Sequence, residues 1–334
     1  MTQASVPISA TELPRSVDHV PVVEPAPVHI SVVVPVYRGA ECIDELFRRL
    51  VDTLEPINPN FEIVLVEDRG PDDSWARIEG LAREDARVRG LQLSRNFGQH
   101  PAISAGLQAS RGDWVVVMDC DLQDQPEEIA KLYDKAQQGF DVVLARRAVR
   151  KDRWTKKMTS VIFYKTFNYL TDLNYDGSVA NFSIVSRTVV NQLCDMNEQV
   201  RFYGGFLTWM GFDRAYVDVE HAPRFAGESS YTLTKLFRMA IPIILAYSNK
   251  PLRLCISLGL GIAGLAFLGA IGIVIQALFF SSPVMGWASL IVSIYFSTGV
   301  IIAVLGVLGL YVDRIFTEAK ARPIYIVQRS TFDG

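Results

Sequence analysis

From Leu254 to Val312 the chain runs for 59 residues without an Asp, Glu, Lys, Arg or His. A helix needs about 20 apolar residues to cross a hydrocarbon core of about 30 Å. The run therefore predicts two membrane helices, at 254–280 and 287–311, broken at Ser281, Ser282 and Pro283. Lys250 and Arg253 precede the first span, Arg314, Lys320 and Arg322 follow the second, and the connecting loop carries no charge. Basic residues favour the cytoplasmic side, so both ends are expected there, with 312–334 as a cytoplasmic tail. Gly259, Gly261 and Gly264 spell the dinucleotide-binding pattern G-x-G-x-x-G, but that pattern works only between a strand and a helix N-terminus. Inside an uncharged run, these glycines read instead as small residues for close helix packing, together with Gly269 and Gly272.

Residues 1–27 are rich in Pro, Val, Ser and Thr, and lack a charged segment followed by an apolar one. They read as a disordered tail rather than a signal peptide, which leaves the following domain expected in the cytoplasm. A net charge of -3 excludes a general nucleic-acid binder, which carries a basic excess. Cys42, Cys120, Cys194 and Cys255 show no metal-binding spacing and read as reduced.

Between 28 and 147 short β-branched runs alternate with helical spacing. Strands are expected at Ile30–Tyr37, Phe61–Val66, Val88–Leu93, Trp114–Met118 and Asp141–Ala145, and helices after 42, over 73–85, over 99–109 and from Pro126. Such alternation implies an α/β domain with a mostly parallel sheet covered on both faces, and ligands bind such sheets at the carboxyl ends of the strands. Those ends are acidic here: Glu67-Asp68 after the second strand, Asp119-Cys-Asp121 after the fourth, then Asp124. If the chain stays extended, Asp119 and Asp121 share a side and both reach one hard cation. Oxygen ligands of this kind suit Mg²⁺ or Mn²⁺ bound together with phosphates.

With Val32-Val-Val-Pro-Val-Tyr37, Glu67-Asp68 with Asp72 and Ser74, Ser94-Arg-Asn-Phe-Gly-Gln99, Val117-Met-Asp-Cys-Asp-Leu-Gln-Asp-Gln-Pro126 and Arg224-Phe-Ala-Gly-Glu-Ser-Ser-Tyr231 in order, the chain resembles the family 2 glycosyltransferases. Within them it is similar to the polyprenyl-phosphate glycosyltransferases, the group of dolichyl-phosphate mannose synthase and bacterial glucosyl-lipid synthases. The resemblance implies a Rossmann-like nucleotide-sugar-binding domain of the GT-A type over 28–231, and inverting transfer from a nucleotide-sugar to polyprenyl phosphate. It implies that Pro35, Tyr37, Glu41 and Asp68 hold base and ribose, that Asp119 and Asp121 hold metal and diphosphate, and that Gln123 stands nearby as part of the catalytic set. UDP is the expected nucleotide, although no residue separates uridine from guanosine. A homo-oligomer is also implied.

Two positions depart from the family pattern. Arg38-Gly-Ala-Glu41 stands in place of Asn-Glu-Glu, and Asn181 in place of an Asp considered as a base in relatives. A phosphate monoester carries roughly -1.5 to -2 charge at pH 7 and is already a nucleophile, so an acceptor phosphate tolerates Asn181. The lipid phosphate is expected at Arg201, Arg224, Ser229 and Lys235, beside an amphipathic interfacial helix over 232–250. Arg146, Arg147 and Arg150 face one of the phosphates or are ordinary solvated cations. His100 and His221 are too isolated for a metal site, and Trp75, Trp154 and Trp209 read as packing or interface residues. Two rivals remain: a processive synthase, for which Gln199-Val-Arg201-Phe-Tyr lacks the Q-x-x-R-W spacing, and an inert nucleotide-sugar-binding membrane module.

Overall fold

The computed structural model describes residues 27–147, 164–171, 179–220, 222, 241–279 and 286–332. Its centre is an eight-stranded sheet in the order β7-β5-β6-β4-β1-β2-β3-β8. The strands are β1 (Ile30–Val36), β2 (Phe61–Glu67), β3 (Val88–Leu93), β4 (Trp114–Val117), β5 (Val142–Arg147), β6 (Val179–Ser186), β7 (Arg214–Val219) and β8 (Val327–Ser330). The block β3-β2-β1-β4 is parallel, as the alternating pattern predicts. The sheet as a whole is mixed, because β6 enters antiparallel between β4 and β5, and β8 pairs antiparallel with β3. Alternation along the chain dictates parallel neighbours only where each strand is followed by its own crossover helix. The segments that return later take whatever edge or gap is left.

Each central strand is buried on both faces, so its side chains divide by parity. Val32, Val34 and Val36 of β1 join one cluster with Ile43, Leu46, Leu50 and Leu54 of α1 (Ile43–Leu54). Trp75 and Ile78 of α2 (Ser74–Glu84) and Ile129 and Leu132 of α4 (Ile129–Ala136) complete that face. Val33 points the other way, to α3 (Gln99–Ala109) and to helices Arg187–Asp195 and Tyr203–Trp209. The fit under α3 is close: a Cβ on Gly106 would stand 2.3 Å from Val33 Cγ1. Only a hydrogen side chain lets the helix approach the sheet there.

The charge-free run forms two long helices, Lys250–Phe279 and Trp287–Ala319, of 30 and 33 residues. At 1.5 Å per residue each is longer than the ~30 Å hydrocarbon core. Both have windows apolar enough to cross a membrane, over Lys250–Gly269 and Ser293–Ala319, and neither window is buried in the protein. Exposed rows such as Leu258, Leu265, Phe267, Tyr295 and Ile302 need a nonaqueous neighbour, and membrane association supplies it. Two expectations are corrected here. The second helix continues past Asp313, Arg314 and Glu318 rather than stopping at 311, since charge ends a membrane segment but not a helix. Gly259, Gly261, Gly264, Gly269 and Gly272 have nothing within 4 Å of a built Cβ, so they do not mediate helix packing among the described residues.

The hairpin is tied to the sheet domain at its base. The Lys250 ammonium donates to the Tyr169 carbonyl at 2.7 Å, and the Tyr311 hydroxyl donates to the Ser248 carbonyl at 2.9 Å.

Candidate active site

In the parallel block the strand order reverses beside β1, which has β2 on one side and β4 on the other. A crevice opens at such a switch point. Pairing between β1 and β4 ends at Val33 and Val117, with one more bond from the Met118 amide to the Val33 carbonyl at 3.2 Å, while β1 continues to Val36. The odd residues of β1 direct their backbone groups toward β4. Pro35 is therefore placed where no donor is needed, because β4 has already left. Its ring is buried. Its carbonyl faces the side from which β4 has departed.

The loops after the four parallel strands each contain a residue in the left-handed region: Arg38 at φ 55° after β1, Arg69 at 53° after β2, Gly98 at 100° after β3 and Leu122 at 59° after β4. Non-glycine residues in that region cost about 1–3 kcal/mol each and persist only where their surroundings determine them. Those surroundings are specific. The Gly39 amide donates to Ser74 Oγ at 3.1 Å and the Ala40 amide to Asp72 Oδ2 at 3.0 Å, so the start of α2 fastens the first loop. A Cβ on Gly39 would stand 3.1 Å from Cys120 Sγ, which sets the first loop directly against the D-C-D turn. Tyr37 is 46% exposed with the Arg38 guanidinium 5.5 Å from its ring centre, and Glu41 is exposed on the turn into α1.

Asp68 is buried, and its carboxylate accepts from the Phe97 and Gly98 amides at 2.7 and 2.8 Å. Burial pushes this carboxyl above the ordinary aspartate value, against the pull of those two amides. Glu67 beside it accepts from Gln92 Nε2 at 3.0 Å and from the Gly70 amide.

At the end of β4 the expectation of an extended D-x-D is corrected. The strand stops at Val117, and Cys120 and Asp121 form a turn that Leu122 completes with its left-handed backbone. Asp119 accepts from Gln99 Nε2 at 2.6 Å, and Asp121 accepts from the Gln123 amide at 3.2 Å. Burial, then the two flanking carboxylates, pushes the Cys120 thiol up to about 12, so it stays protonated. The Gln123 carbonyl accepts from the Ala222 amide at 3.0 Å. The segment after β7 thus returns to the D-C-D turn. On the neighbouring strand β6, Asn181 stands two residues beyond the last β4–β6 pair, Val117 with Ser183, as Asp119 does on β4.

Among the described residues, no three His, Cys, Asp or Glu side chains are placed to enclose an ion. Asp119 and Asp121 are hard oxygen donors that are neither fully buried nor fully exposed. A two-carboxylate set fits Mg²⁺ or Mn²⁺ when the remaining positions go to phosphate oxygens and water.

The family model for glycosyl transferase family 2 matches residues 31–194, the span that builds this crevice. A prophage-derived bactoprenol glucosyl transferase of Shigella flexneri is 39% identical over 303 residues, 90% of this chain and 98% of that protein. The chain belongs to glycosyl transferase family 2. An uncharacterised glycosyltransferase of Bacillus subtilis is 36% identical over 91% of this chain and 94% of its own. Among solved structures, glucosyl-3-phosphoglycerate synthase from Mycobacterium tuberculosis, in complex with Mn²⁺, UDP and glucosyl-3-phosphoglycerate, aligns with a TM-score of 0.47 at 16% identity, covering 65% of this chain and 78% of that one.

This glycosyltransferase therefore brings Tyr37, Asp68, Asp119, Asp121 and Gln123 to one rim. Arg201 is corrected. It is 9% exposed, its guanidinium donates to the Met196 and Leu193 carbonyls at 2.6 and 3.0 Å, and its Nε donates to Ser104 at 3.0 Å. A guanidinium bonded to the carbonyls at the end of helix Arg187–Asp195 and to Ser104 joins that helix to α3. Burial, then the Arg201 charge, pushes His100 down to about 4, so that histidine is neutral. Arg146 pairs with Asp218 at 2.7 Å on the β5–β7 edge. Trp75 is in the core and Trp209 is 64% exposed. Arg150, Trp154, His221, Arg224, Ser229 and Lys235 lie outside the described residues, as do 232–240 of the expected interfacial helix; residues 241–247 are helical. Sequence reasoning assigned no role to Gln99, although it falls in the Ser94–Gln99 motif at the start of α3, one residue after a left-handed glycine. That position was the signal for it.

Proposed function

We propose that this glycosyltransferase moves a sugar, with inversion, from a UDP-linked donor to polyprenyl phosphate at the cytoplasmic face of a membrane. The observation that carries the reading is the placement of Asp68, after β2, and the Asp119–Asp121 turn, after β4, on either side of the carboxyl end of β1, in a domain joined to two apolar helices. The relatives named for bactoprenol glucosylation support the lipid acceptor. Asp68 and the Tyr37 loop take the base and ribose, while Asp119 and Asp121 face the diphosphate. A divalent ion held by those two carboxylates would neutralise the departing diphosphate. Gln99 fixes the orientation of the Asp119 carboxylate. The acceptor phosphate attacks without a base, which is why an amide at Asn181 suffices, and rate comes from positioning. Arg224 is two residues past Ala222, the residue bonded to Gln123, and we assign it, with Ser229 and Lys235, to the lipid phosphate.

The test incubates the full-length protein with polyprenyl phosphate, Mn²⁺ and a panel of radiolabelled nucleotide-sugars. Label is expected in the organic phase for one donor. If no donor yields lipid-linked label, the acceptor assignment is wrong. Arg224→Ala is expected to raise the lipid KM and spare UDP binding; equal loss of UDP affinity would move that residue to the donor site.

A further inference from the structure

The residues after the second apolar helix do not trail away as a tail. They cross the sheet domain as a strap. At its beginning the Gln199 amide donates to Glu318 at 3.0 Å and Gln199 Nε2 donates to the Arg322 carbonyl at 2.7 Å. Tyr325 then bonds Gln108 of α3. β8 extends the sheet beside β3, pairing Leu91 with Ser330, Gln92 with Arg329 and, across a bulge, Leu93 with Val327. Thr331 exchanges bonds with Gly90 at 2.8 and 3.0 Å, and the Arg89 guanidinium lies 3.7 Å from the Phe332 ring centre.

Two of the strap's contacts fall on the loops that flank Asp68. The Ser94 amide donates to the Ile326 carbonyl at 2.9 Å, fixing the entry to the 94–98 loop whose amides bind Asp68. On the other side Arg69, the residue after Asp68, donates through Nη1 to Gln328 Oε1 at 3.0 Å. Arg69 has a left-handed backbone in a turn closed by the bond from the Gly70 amide to Glu67, and an exposed side chain. Gln328 is the partner of that side chain.

We infer that Gln328 is a positioning residue of the donor site: by holding Arg69 in its left-handed turn, the C-terminal strap sets the nucleotide-binding loop around Asp68. The inference rests on the donor reading of Asp68 given above. It also gives the strap a reason to run from the membrane helix to this rim, since one continuous segment then fixes both the hairpin and the nucleotide loops.

The experiment titrates UDP with Mn²⁺ into the full-length protein in detergent, by calorimetry. Gln328→Ala is expected to weaken UDP binding about 3–10-fold, the scale of one ordinary net hydrogen bond, with an unchanged melting temperature. Gln328→Glu keeps an acceptor for Arg69 and is expected to restore binding. Arg69→Ala is expected to weaken UDP at least as much, and adding Gln328→Ala to it should change nothing more. Wild-type UDP affinity in Gln328→Ala, or the same loss in both backgrounds, would overturn this inference while leaving the donor site in place. A wild-type protein that binds no UDP would overturn the donor reading and this inference with it.

Discussion

At the amino-terminal rim of the sheet, the Glu62 carboxylate is 1% exposed and surrounded by Ser31 Oγ at 2.7 Å, the Arg111 amide at 2.6 Å, Arg111 Nε at 3.0 Å and Arg89 Nη1 at 3.0 Å. Arg187 completes that rim by donating to the Gly112 carbonyl at 2.8 Å. At the carboxyl-terminal rim, the Asp119 and Asp121 carboxylates are half-buried on a turn, and the loops after β1 to β4 each contain a left-handed residue. Both rims place acids at strand ends. One surrounds its acid with donors from the protein. The other keeps Asp68 buried on the Phe97 and Gly98 amides and leaves Asp119 and Asp121 half-buried on a turn. A buried charge must be paired to be tolerated, so the closed rim serves stability, and the half-buried turn is where we propose that the donor's diphosphate binds.

The sharpest way to break this contrast is at Glu62. Glu62→Gln leaves Arg89 without its buried counter-charge and is expected to cost about 3–5 kcal/mol of folding stability, measured by denaturant unfolding, with the activity per folded molecule unchanged. Burial pushes the Glu62 carboxyl up, but Ser31, the Arg111 amide and the two guanidiniums outweigh it and hold it below its ordinary value of 4.5. A carboxyl depressed on folding stabilises fully above its unfolded value, and that contribution is lost as pH falls through the folded one. The wild type should therefore lose stability below pH 4.5 more steeply than Glu62→Gln; parallel curves would contradict the assignment.

At the open rim the expected effects are catalytic. Asp121→Ala should lower transfer on the order of 10²–10³-fold, the scale for removing one electrostatic stabiliser, while the melting temperature holds. A large drop in stability instead would make the turn a structural network like its counterpart. Gln99→Ala removes the amide that orients Asp119 and should reduce metal-dependent turnover about 10–100-fold, read as a higher Mn²⁺ requirement with little change in folding. The smallest effect belongs to Arg146, whose partner Asp218 is exposed: Arg146→Ala should change stability by about 0–1 kcal/mol and leave donor KM unaltered. A raised donor KM would bring Arg146 into the phosphate site.

Much of this was readable in residue order because it is local. Val32-Val-Val to β1, the Ile43, Leu46 and Leu50 spacing to α1, and Pro126 to the start of the short helical turn Pro126–Glu128 all follow from neighbours a few positions apart. The charge-free run declared two long apolar helices for the same reason, and motif order along the chain was enough to identify the family. Where the chain meets itself over long distances, residue order was silent or misleading. Arg201 reads as a phosphate ligand, and only the packing of helix Arg187–Asp195 against α3 buries it and brings its Nε to Ser104, 97 positions away.

The sequence by itself determined the alternation of strands and helices, the acids at the strand ends and the apolar hairpin, because burial periodicity and charge are properties of short stretches. Tertiary structure alone decided that β6 enters between β4 and β5, that the D-C-D segment turns rather than extends, and that the last residues return as β8 to bond Arg69 and Ser94. Those outcomes depend on which backbone edge is left unpaired once the core has formed, and the energy of filling it belongs to residues more than two hundred positions apart, Arg69 and Gln328 among them.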